Sequence, residues 1–541
     1  VPADGPAVKK NIGEALYWTG ASLFVVLGAV AGLMYGNLDS VRVQDVTRSL
    51  AVLLPCSVVA TLLLLAIHRP LGRVFPAAIF LYFSFYDINK FIQKFGFENV
   101  LSFTFIILCL SALYIVLRYV DGLRASLYTF VAAAAMASVT LIMIAPSLFY
   151  DPPPGIDAYF EKETLAAVKA HRGGASALPD IIYVIPDRYP SRATLGDEFG
   201  FDNTAFYGEL RKRGFFVAEN SWANYPKTFQ SMASTLNSGY LQDFTKAHGA
   251  NSSDKRPIYQ KMETNVVQDR LRKLGYRFHN YGNWWGPTRI NRWAAVNYQG
   301  YPPNSLQNLS EFERALLRRT PTTKIVRLFT DAEDKRECTR IKRKFRRIRE
   351  VGNQAQPVFV LAHFAVPHNP IFFDAAGRCL PKPLIYLGEK GTTWKIFKAA
   401  FVEYLKYFNT SILEIIDQQL RHRGATGRKL LFVIQADEGP YPKSMWDAPK
   451  VVDFSLMSRR ELKMKTGIIN ALLLPEDLRR NVPNLTTPVN NWRIIFDALT
   501  GSKMNLLPDK VFIYPTDKKI FDFCEITDIM TKPEAAPTCK N

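Results

Sequence analysis

Residues 179–195 read PDIIYVIPDRYPSRATL, and this stretch decides the fold of the second half of the chain. Ile181 to Ile185 form a short apolar, β-branched and aromatic run, which is typical of a buried strand. Pro186 ends the run and Asp187 follows it. Ligands of open α/β sheets bind beyond the carboxyl ends of the strands, so we interpret Asp187 as a metal ligand. A plain turn residue is the alternative.

A second stretch, YPKTFQSMASTL at 225–236, predicts a helix that begins at Thr228. A hydroxyl in the first helical turn lies where unpaired N–H groups and the helix dipole favour an anion. We therefore interpret Thr228 as a nucleophile and Lys227 as a substrate-binding residue. An ordinary helix N-cap is the alternative for Thr228.

The sequence LLFVIQADEG at 430–439 predicts another buried strand with Asp437 and Glu438 at its carboxyl end. Two adjacent acids would repel each other in a plain turn, whereas a bound cation offsets their charge. Asp187, Asp437 and Glu438 then predict an all-oxygen shell, open at Thr228. Such a shell predicts one divalent metal, with Mg or Mn preferred over Zn and with Ca also fitting.

Two further stretches follow predicted strands and carry polar side chains. In FVLAHFAVPHNP at 359–370, His363 and His368 are candidates to contact a substrate oxyanion or to protonate a leaving group, and a structural role is the alternative. In GNWWGPTR at 282–289, Arg289 could hold a phosphate, with Trp284 or Trp285 as a wall.

The first 150 residues predict a membrane domain. Five long apolar runs each approach the length that a bilayer core requires: 15–36, 46–67, 71–88, 97–120 and 125–149. A small excess of Lys and Arg in the loops on one side of the membrane helices predicts that this side faces the cytoplasm. The formal net charge of +20 favours anionic partners, and membrane segments make lipid a better candidate than nucleic acid.

Residues 151–178 predict a juxtamembrane linker, with the amphipathic stretch 158–171 along the membrane surface. Residues 179–541 predict a single α/β domain, because short apolar strands alternate with helical segments. Four cysteines in this region lack CxxC spacing, which fits two disulfides in an oxidising compartment. One pairing among three joins Cys338 to Cys379 and Cys524 to Cys539.

The order of these motifs resembles the alkaline phosphatase and sulfatase superfamily. It is most similar to membrane-anchored sulfatase-like proteins such as lipoteichoic acid synthases and phosphoethanolamine transferases. The resemblance covers about 179–496 and includes KTGIINALLLP and TPVNNWRIIFDAL. It implies an N-terminal helical membrane domain followed by an alkaline-phosphatase-like sandwich with a mostly parallel central sheet.

The resemblance also implies an activity. A threonine, here Thr228, would take a substituted phosphoryl group such as phosphoglycerol or phosphoethanolamine from a phospholipid and pass it to an envelope glycan or lipid. The enzyme would lie in a bacterial inner membrane, with its catalytic domain facing the periplasm or the exterior.

This chain departs from the family pattern at Asp437-Glu438-Gly439, where the family usually has Asp-His-Gly, and it lacks the sulfatase Cys/Ser-x-Pro-x-Arg signature. Two alternatives stay open, a phosphodiesterase or sulfatase-like hydrolase and a non-catalytic protein that binds an envelope polymer.

Overall fold

The computed structural model describes residues 6–94, 99–148, 153–171, 178–302, 305–323, 333–352, 356–384, 393–447, 453–476 and 486–532. The chain divides into two compact units. The first contains Val1–Asp151 together with Leu309–Thr330, and the second contains Pro152–Asn308 and Asp331–Asn541. The sequence analysis did not anticipate that Leu309–Thr330 belongs to the first unit.

The first unit is helical. Its helices are α1 (Pro6–Tyr35), α2 (Val43–Ile67), α3 (Arg69–Phe83), α4 (Phe85–Gln93), α5 (Asn99–Tyr119), α6 (Gly122–Leu148) and, from the later segment, α15 (Glu311–Arg318).

Three helices of this unit are long and apolar enough to cross a membrane within the described ranges: Val8–Tyr35, Asp45–Ile67 and Gly122–Ala145. The pair α3 and α4 would count as a fourth span, but it bends by 58° at Ser84. In the fourth predicted run, the part of α5 whose side chains are described, Thr104–Tyr119, is apolar but shorter than a full span. The described residues therefore support three or four spans, fewer than the five that apolar runs alone predicted.

Helix α15 packs on the membrane-type helices through its apolar face. Phe312 and Leu316 are buried in one cluster with Val30 of α1. On its polar face, Glu313 forms a 3.2 Å ion pair with Arg48 of α2. An amphipathic helix buries its apolar stripe wherever a complementary face is available, and here that face belongs to the first unit.

The second unit contains the remaining elements. Its helices are α7 (Ala158–Ala170), α8 (Arg192–Phe199), α9 (Thr204–Lys212), α10 (Thr228–Asn237), α11 (Gln242–His248), α12 (Arg256–Glu263), α13 (Val266–Lys273), α14 (Gly286–Arg289), α16 (Glu333–Arg349), α17 (Trp394–Thr426), α18 (Lys443–Asp447), α19 (Arg459–Thr466), α20 (Asn491–Thr500) and α21 (Thr527–Thr531). Its strands are β1 (Asp180–Pro186), β2 (Phe216–Val217), β3 (Arg277–Tyr281), β4 (Val296–Asn297), β5 (Val358–Phe364), β6 (Ile371–Phe373), β7 (Cys379–Leu384), β8 (Leu430–Gln435), β9 (Asn470–Leu473), β10 (Phe512–Ile513) and β11 (Cys524–Glu525).

A seven-stranded sheet organises this unit, in the order β2-β9-β8-β1-β5-β3-β4. Strands β8, β1, β5, β3 and β4 pair in parallel, and β9 pairs antiparallel with both β8 and β2. Strand β1 lies at the centre, between β5 and β8. The predicted fold class, a helical membrane-type unit followed by an α/β unit with a mostly parallel sheet, is confirmed at this level.

Both faces of the central strand are covered. Ile181, Tyr183 and Ile185 belong to one hydrophobic cluster, and Ile182 and Val184 belong to the cluster on the other face. Successive side chains of a strand alternate between faces, so a continuous apolar run fits a strand buried on both sides. The short strands β4, β6 and β7 were missed because their sequences carry no comparable run.

Helix α7 occupies the stretch that the sequence predicted to be a linker on the membrane surface. Phe160 is fully buried and contacts the ring of Phe496. Asp157, which caps α7, forms a 2.5 Å ion pair with the buried Arg493. These contacts place α7 in the second unit, whereas the domain boundaries as a whole stay a prediction.

Cys338 of α16 and Cys379 of β7 form a disulfide with their Cα atoms 6.0 Å apart. This is the first of the two pairings that the sequence suggested. Cys539, the suggested partner of Cys524, lies outside the described residues.

We expect peptide mapping without reductant to recover the Cys338–Cys379 linked peptide, while Cys56 and Cys109 react with an alkylating reagent. Replacing both Cys338 and Cys379 by serine should lower the free energy of unfolding by about 2–4 kcal/mol, because the bond closes a loop across a sequence separation of 41. Thermal unfolding of the full chain in detergent measures the change. The double variant Cys56→Ser/Cys109→Ser is the matched control, and equal melting temperatures for the two double variants would contradict the assignment.

Candidate metal and nucleophile site

Three neighbouring parallel strands deliver polar side chains to one edge of the sheet. Asp187 directly follows β1, His363 lies near the carboxyl end of β5, and Asp437 follows β8 after one residue. All three side chains are buried, and one potential ligand atom from each lies within 4.8 Å of the others. The carboxyl edge of the sheet therefore holds a compact group of two carboxylates and one imidazole, as the crevice rule for open α/β sheets predicts.

Each of these three residues turns an unsatisfied atom toward the group. Asp187 Oδ1, His363 Nε2 and Asp437 Oδ2 are buried and have no hydrogen-bond partner among the described residues. His363 Nε2 lies 3.6 Å from Asp187 Oδ2. Buried charges without partners are costly, and a divalent cation bound by these atoms would offset that cost. The donor set thus fits a metal ion.

The His363 ring is oriented by contacts on its other nitrogen. Nδ1 lies 3.0 Å from the Thr288 hydroxyl, which in turn lies 3.2 Å from Asn283 Oδ1. Asn283 Nδ2 also lies 3.0 Å from Nδ1, and these two contacts hold the ring with Nε2 toward Asp187. Burial lowers the pKa of His363 to about 4, so the ring is neutral near pH 7, as a metal ligand must be.

Glu438 lies in a different environment from the one the sequence predicted. Its Oε1 accepts a 2.8 Å hydrogen bond from Arg188 Nε and lies 2.9 Å from Lys465 Nζ. Burial alone would raise the pKa of Glu438, but Lys465, Arg188 and Lys227 outweigh burial and lower it. Glu438 Oε2 is buried without a hydrogen-bond partner among the described residues, so Glu438 stays a predicted ligand beside the compact group that contains His363.

Arg188 adopts a left-handed backbone conformation, with φ of 63°, although it is not a glycine. Its backbone N–H donates to Asp437 Oδ1 at 3.1 Å, and its guanidinium also donates to Asn369 Oδ1 at 2.9 Å. Such a conformation is costly for a residue with a Cβ, and it persists where surrounding contacts enforce it. These contacts fix Arg188 between the potential ligand Asp437 and the counter-charge Glu438.

Three cations surround the ring of Tyr441. Lys465 Nζ lies 4.0 Å from the ring centroid, the Arg188 guanidinium carbon 4.4 Å and Lys227 Nζ 5.1 Å. An aromatic face attracts cations, so the ring holds like charges close together. Burial lowers the pKa of Lys465 to about 7, and Asp517 lies 4.0 Å from Lys227 Nζ, so Arg188 and Lys227 are the cations that stay charged on this side of the site.

Thr228 is the first residue of α10 and is half-buried. Its side chain is close enough to Asp437 to lower the pKa of that carboxyl group. The first intrahelical bond runs from Ser231 N–H to Lys227 C=O, so the N–H groups of the first turn point toward the same end of the helix. The structure therefore brings Thr228 to the group of ligands through Asp437.

The two aspartates resist ionisation without a cation. Burial raises the pKa of Asp187 to about 7, with Glu438 adding to the shift and Arg188 opposing it. Burial also raises the pKa of Asp437 to about 7, and repulsion from Asp187 and Glu438 adds to that shift.

A pocket of about 190 Å³ opens at this site. Its walls include five Phe, Tyr and Trp side chains and several cations, and it is lined by Asp187, Arg188, Lys227, Thr228, Phe229, Lys255, Tyr259, Asn283, Trp284, Trp285, His368, Glu438, Tyr441 and Asp517. The predicted substrate-binding residues Lys227, Trp284 and Trp285 are therefore in the pocket wall. Arg289 instead donates to the carbonyl of Asn308 at 3.1 Å, outside this lining.

His368 lines the pocket beside Trp284, with ring centroids 6.2 Å apart. Burial, reinforced by Arg188, lowers the pKa of His368 well below its usual value. The ring is therefore neutral near pH 7, which argues against a stored proton for a leaving group and leaves a contact role.

Sequence reasoning missed Arg188, Tyr441, Lys255 and Tyr259 as pocket residues and Lys465 as a partner of Glu438. Arg188 and Tyr441 lie within three residues of predicted ligands in the sequence. This proximity is the signal that could have identified them as pocket residues. Lys465 lies before β9 and reaches Glu438 only because β8 and β9 are neighbours in the sheet.

Comparison with known proteins gives distant structural likenesses only, since no family model and no curated protein matches the sequence. The periplasmic domain of EptC from Escherichia coli, solved in complex with Zn, is 13% identical and has a TM-score of 0.37, covering 66% of this chain and 95% of that domain. The lipooligosaccharide phosphoethanolamine transferase EptA from Neisseria meningitidis is 12% identical, with a TM-score of 0.37 and coverage of 90% and 95%.

A protein from Bacteroides fragilis described as a sulfatase is 13% identical, with a TM-score of 0.36 and coverage of 62% of this chain and 81% of that one. These structures are of the two kinds that the sequence motifs resemble, phosphoethanolamine transferases and sulfatases. At such identities and TM-scores the likeness does not carry an assignment, and the site geometry supplies the grounds for the function proposed below.

Replacing a residue of the compact group should remove the metal, whereas replacing Glu438 should not. We expect Asp187→Asn, Asp437→Asn and His363→Ala each to weaken metal binding by more than about 100-fold, since even changes to partners of ligands cost 10–100-fold. Glu438→Gln keeps the shape of the side chain and should retain the metal. Because an imidazole joins two carboxylates, Zn should bind more tightly than Mg.

Equilibrium dialysis of the full chain against Zn, Mn and Mg, followed by elemental analysis, measures these affinities. Circular dichroism and melting temperature control for folding. A loss of metal in Glu438→Gln equal to that in Asp187→Asn would show that Glu438 is a ligand, as the sequence predicted.

Metal affinity should increase as pH rises from about 5.5 to 8. The pKa values of Asp187 and Asp437 near 7 mean that a metal must displace protons below that pH. Below the pKa, the metal affinity should increase by up to about tenfold for each unit of pH and for each proton that the metal displaces. Above the pKa, the affinity should no longer change with pH. Titration calorimetry in buffers of different ionisation enthalpy counts the protons. An affinity that stayed constant from pH 5.5 to 8 would contradict the raised pKa values.

Proposed function

We propose that this protein is a metal-dependent phosphotransferase in which Thr228 carries a substituted phosphoryl group from a membrane phospholipid to a cell-envelope glycan or lipid. One observation carries the proposal. The hydroxyl of Thr228, at a helix N-terminus, lies beside Asp437, one of two buried aspartates that form a compact group with His363. This arrangement suits activation of a hydroxyl beside an anionic substrate.

Asp187, His363 and Asp437 would hold the metal. When bound, a divalent cation in such a site lowers the pKa of a nearby hydroxyl and neutralises charge on phosphoryl oxygens. The His363 nitrogen makes Zn a stronger candidate than an all-oxygen shell would, and Mg and Mn stay alternatives.

The proposed reaction has two steps, and both use Thr228. Thr228 Oγ attacks phosphorus as its proton passes to Asp437, the bond from phosphorus to the diacylglycerol oxygen breaks, and that oxygen takes a proton. An acceptor hydroxyl or amine then attacks phosphorus, and the Thr228 oxygen leaves and regains a proton. Between the two steps Thr228 carries the phosphoryl group with its substituent.

The cations of the pocket suit the charge of the reacting group. Arg188, Lys227 and Lys465 lie around Tyr441 at the wall of the pocket, and Lys255 adds a fourth positive charge to the lining. Preorganised cations in a site that excludes water stabilise negative charge that develops on phosphoryl oxygens. Trp284 and Trp285 offer apolar walls for the substituent, phosphoglycerol or phosphoethanolamine.

The proposed location is a bacterial inner membrane, with the second unit in the periplasm or outside the cell. The Cys338–Cys379 disulfide favours an oxidising compartment. Lys10 and Asp121 pair at the end of the helical unit where α1 begins, and α15 packs near the other end of α1.

A hydrolase is the second candidate, because water could replace the acceptor in the second step. The pocket is open to solvent at the half-buried Thr228, which favours neither acceptor.

The test is peptide mass spectrometry of the full chain incubated with metal and with phosphatidylethanolamine or phosphatidylglycerol. We expect a phosphoethanolamine or phosphoglycerol mass on the peptide that contains Thr228, and no adduct in Thr228→Ala. Thr228→Ser should restore the adduct, because a hydroxyl is retained. Thr235→Ala, a substitution in the same helix, is the matched control.

Released diacylglycerol without any adduct, in the wild type but not in Thr228→Ala, would support the hydrolase. Metal binding with neither adduct nor release from either lipid would contradict the proposed activity and favour a binding protein.

A further inference from the structure

A cavity of about 170 Å³ lies in the helical unit, apart from the site of Thr228. Helices α1, α3 and α6 form its walls, and Leu316 of α15 contributes to its lining. Most of the lining is apolar or small, and it comprises Phe24, Val25, Gly28, Ala29, Gly32, Phe80, Phe83, Ser84, Asp87, Ala133, Met136, Ala137, Thr140, Leu316 and Arg319.

The cavity exists because side chains are missing from its walls. A Cβ added at Gly32 would meet no atom within 4 Å, and one added at Gly28 would meet Ala137 only at 3.7 Å. Protein interiors are close-packed, and an empty apolar void of this size is destabilising. Helices of membrane-spanning length and apolarity lie in hydrocarbon, so an acyl chain is the occupant that the surroundings supply.

Two opposite charges belong to the same cavity. Asp87 lies in the first turn of α4, and Arg319 follows the last residue of α15. The backbone N–H of Tyr86 donates to the Arg319 carbonyl at 3.0 Å, which brings the two charged residues to one point of the lining. Among the described residues, neither side chain forms an ion pair or a hydrogen bond.

We propose that this cavity binds a zwitterionic phospholipid, with one acyl chain against Gly28 and Gly32, the phosphate on Arg319 and the ammonium group on Asp87. A guanidinium is well suited to a phosphate, and a carboxylate to an ammonium. A lipid with a neutral glycerol headgroup would satisfy Arg319 and leave Asp87 without a cation. The lipid would also tie α15 to α1 and α6. This inference concerns the helical unit and holds whether or not Thr228 is a nucleophile.

The first test is native mass spectrometry of the full chain, released from nanodiscs that contain equal amounts of phosphatidylethanolamine and phosphatidylglycerol. A chelator is present so that turnover does not remove lipid. We expect one retained lipid per chain, with phosphatidylethanolamine preferred by about tenfold. Gly32→Leu should fill the cavity and abolish retention, whereas Gly36→Leu, just beyond α1 and exposed, should leave it unchanged.

The charged residues have separate expected effects. Asp87→Asn should remove the preference for phosphatidylethanolamine while lipid is still retained, and Arg319→Gln should weaken retention of both lipids by about tenfold. Retention in Gly32→Leu equal to that in the wild type would overturn the cavity as the site. A wild type that did not discriminate between the two lipids would overturn the assignment of the headgroup.

A second measurement uses the wild-type chain and does not depend on the folding of any variant. Phosphatidylethanolamine with a photoreactive diazirine near the end of one acyl chain is cross-linked to the full chain in nanodiscs. We expect adducts on peptides that contain residues 24–32 and 133–140, and competition by unlabelled phosphatidylethanolamine. Adducts confined to lipid-facing residues such as Ile107, Leu108 and Ile142, all exposed, would overturn the proposal.

Discussion

Three carboxylates lie buried at the carboxyl edge of one sheet, and the need to compensate their charge determines the arrangement around them. Glu438 receives its counter-charge from within the protein, through Arg188 and Lys465. Asp187 and Asp437 turn unsatisfied oxygens toward His363 instead. Burying a charge is costly unless it is paired. The same edge of the sheet therefore contains one acid that is paired internally and two that require an external cation.

This division gives the pocket two electrostatically different sides. On one side, the aspartates and a neutral imidazole offer lone pairs to a metal ion. On the other, Arg188 and Lys227 face the ring of Tyr441, with Glu438 and Asp517 as their counter-charges. A phosphodiester, whose two non-bridging oxygens share one negative charge, can contact both sides at once, which is the physical basis for the proposed chemistry. Thr228 lies beside Asp437, and its neighbour Lys227 contacts Tyr441.

A helix from the second half of the sequence belongs to the first unit. Helix α15 comes from sequence between β4 and α16, yet its apolar face packs on α1 and its Glu313 pairs with Arg48. A helix with a strongly segregated apolar stripe needs a partner surface, and in this protein the membrane-type helices supply it. The position of Leu316 and Arg319 in the wall of the cavity follows from the same packing.

The sequence by itself determined the strands β1, β5 and β8, because uninterrupted apolar runs can only be buried on both faces of a sheet. It also predicted Asp187, Asp437 and Thr228 as site residues, because each lies next to an element whose end is marked locally. Only the tertiary structure brings His363 into one compact group with the two aspartates and surrounds Glu438 with cations. Neighbouring side chains at a strand end diverge, so Asp437 and Glu438 face different surroundings. The partners of Glu438 come from β1 and from the helix before β9, and the bond from Arg188 to Glu438 spans 250 positions of sequence. Such partners are set by the order of strands in the sheet and the packing of helices on it, which no local pattern encodes.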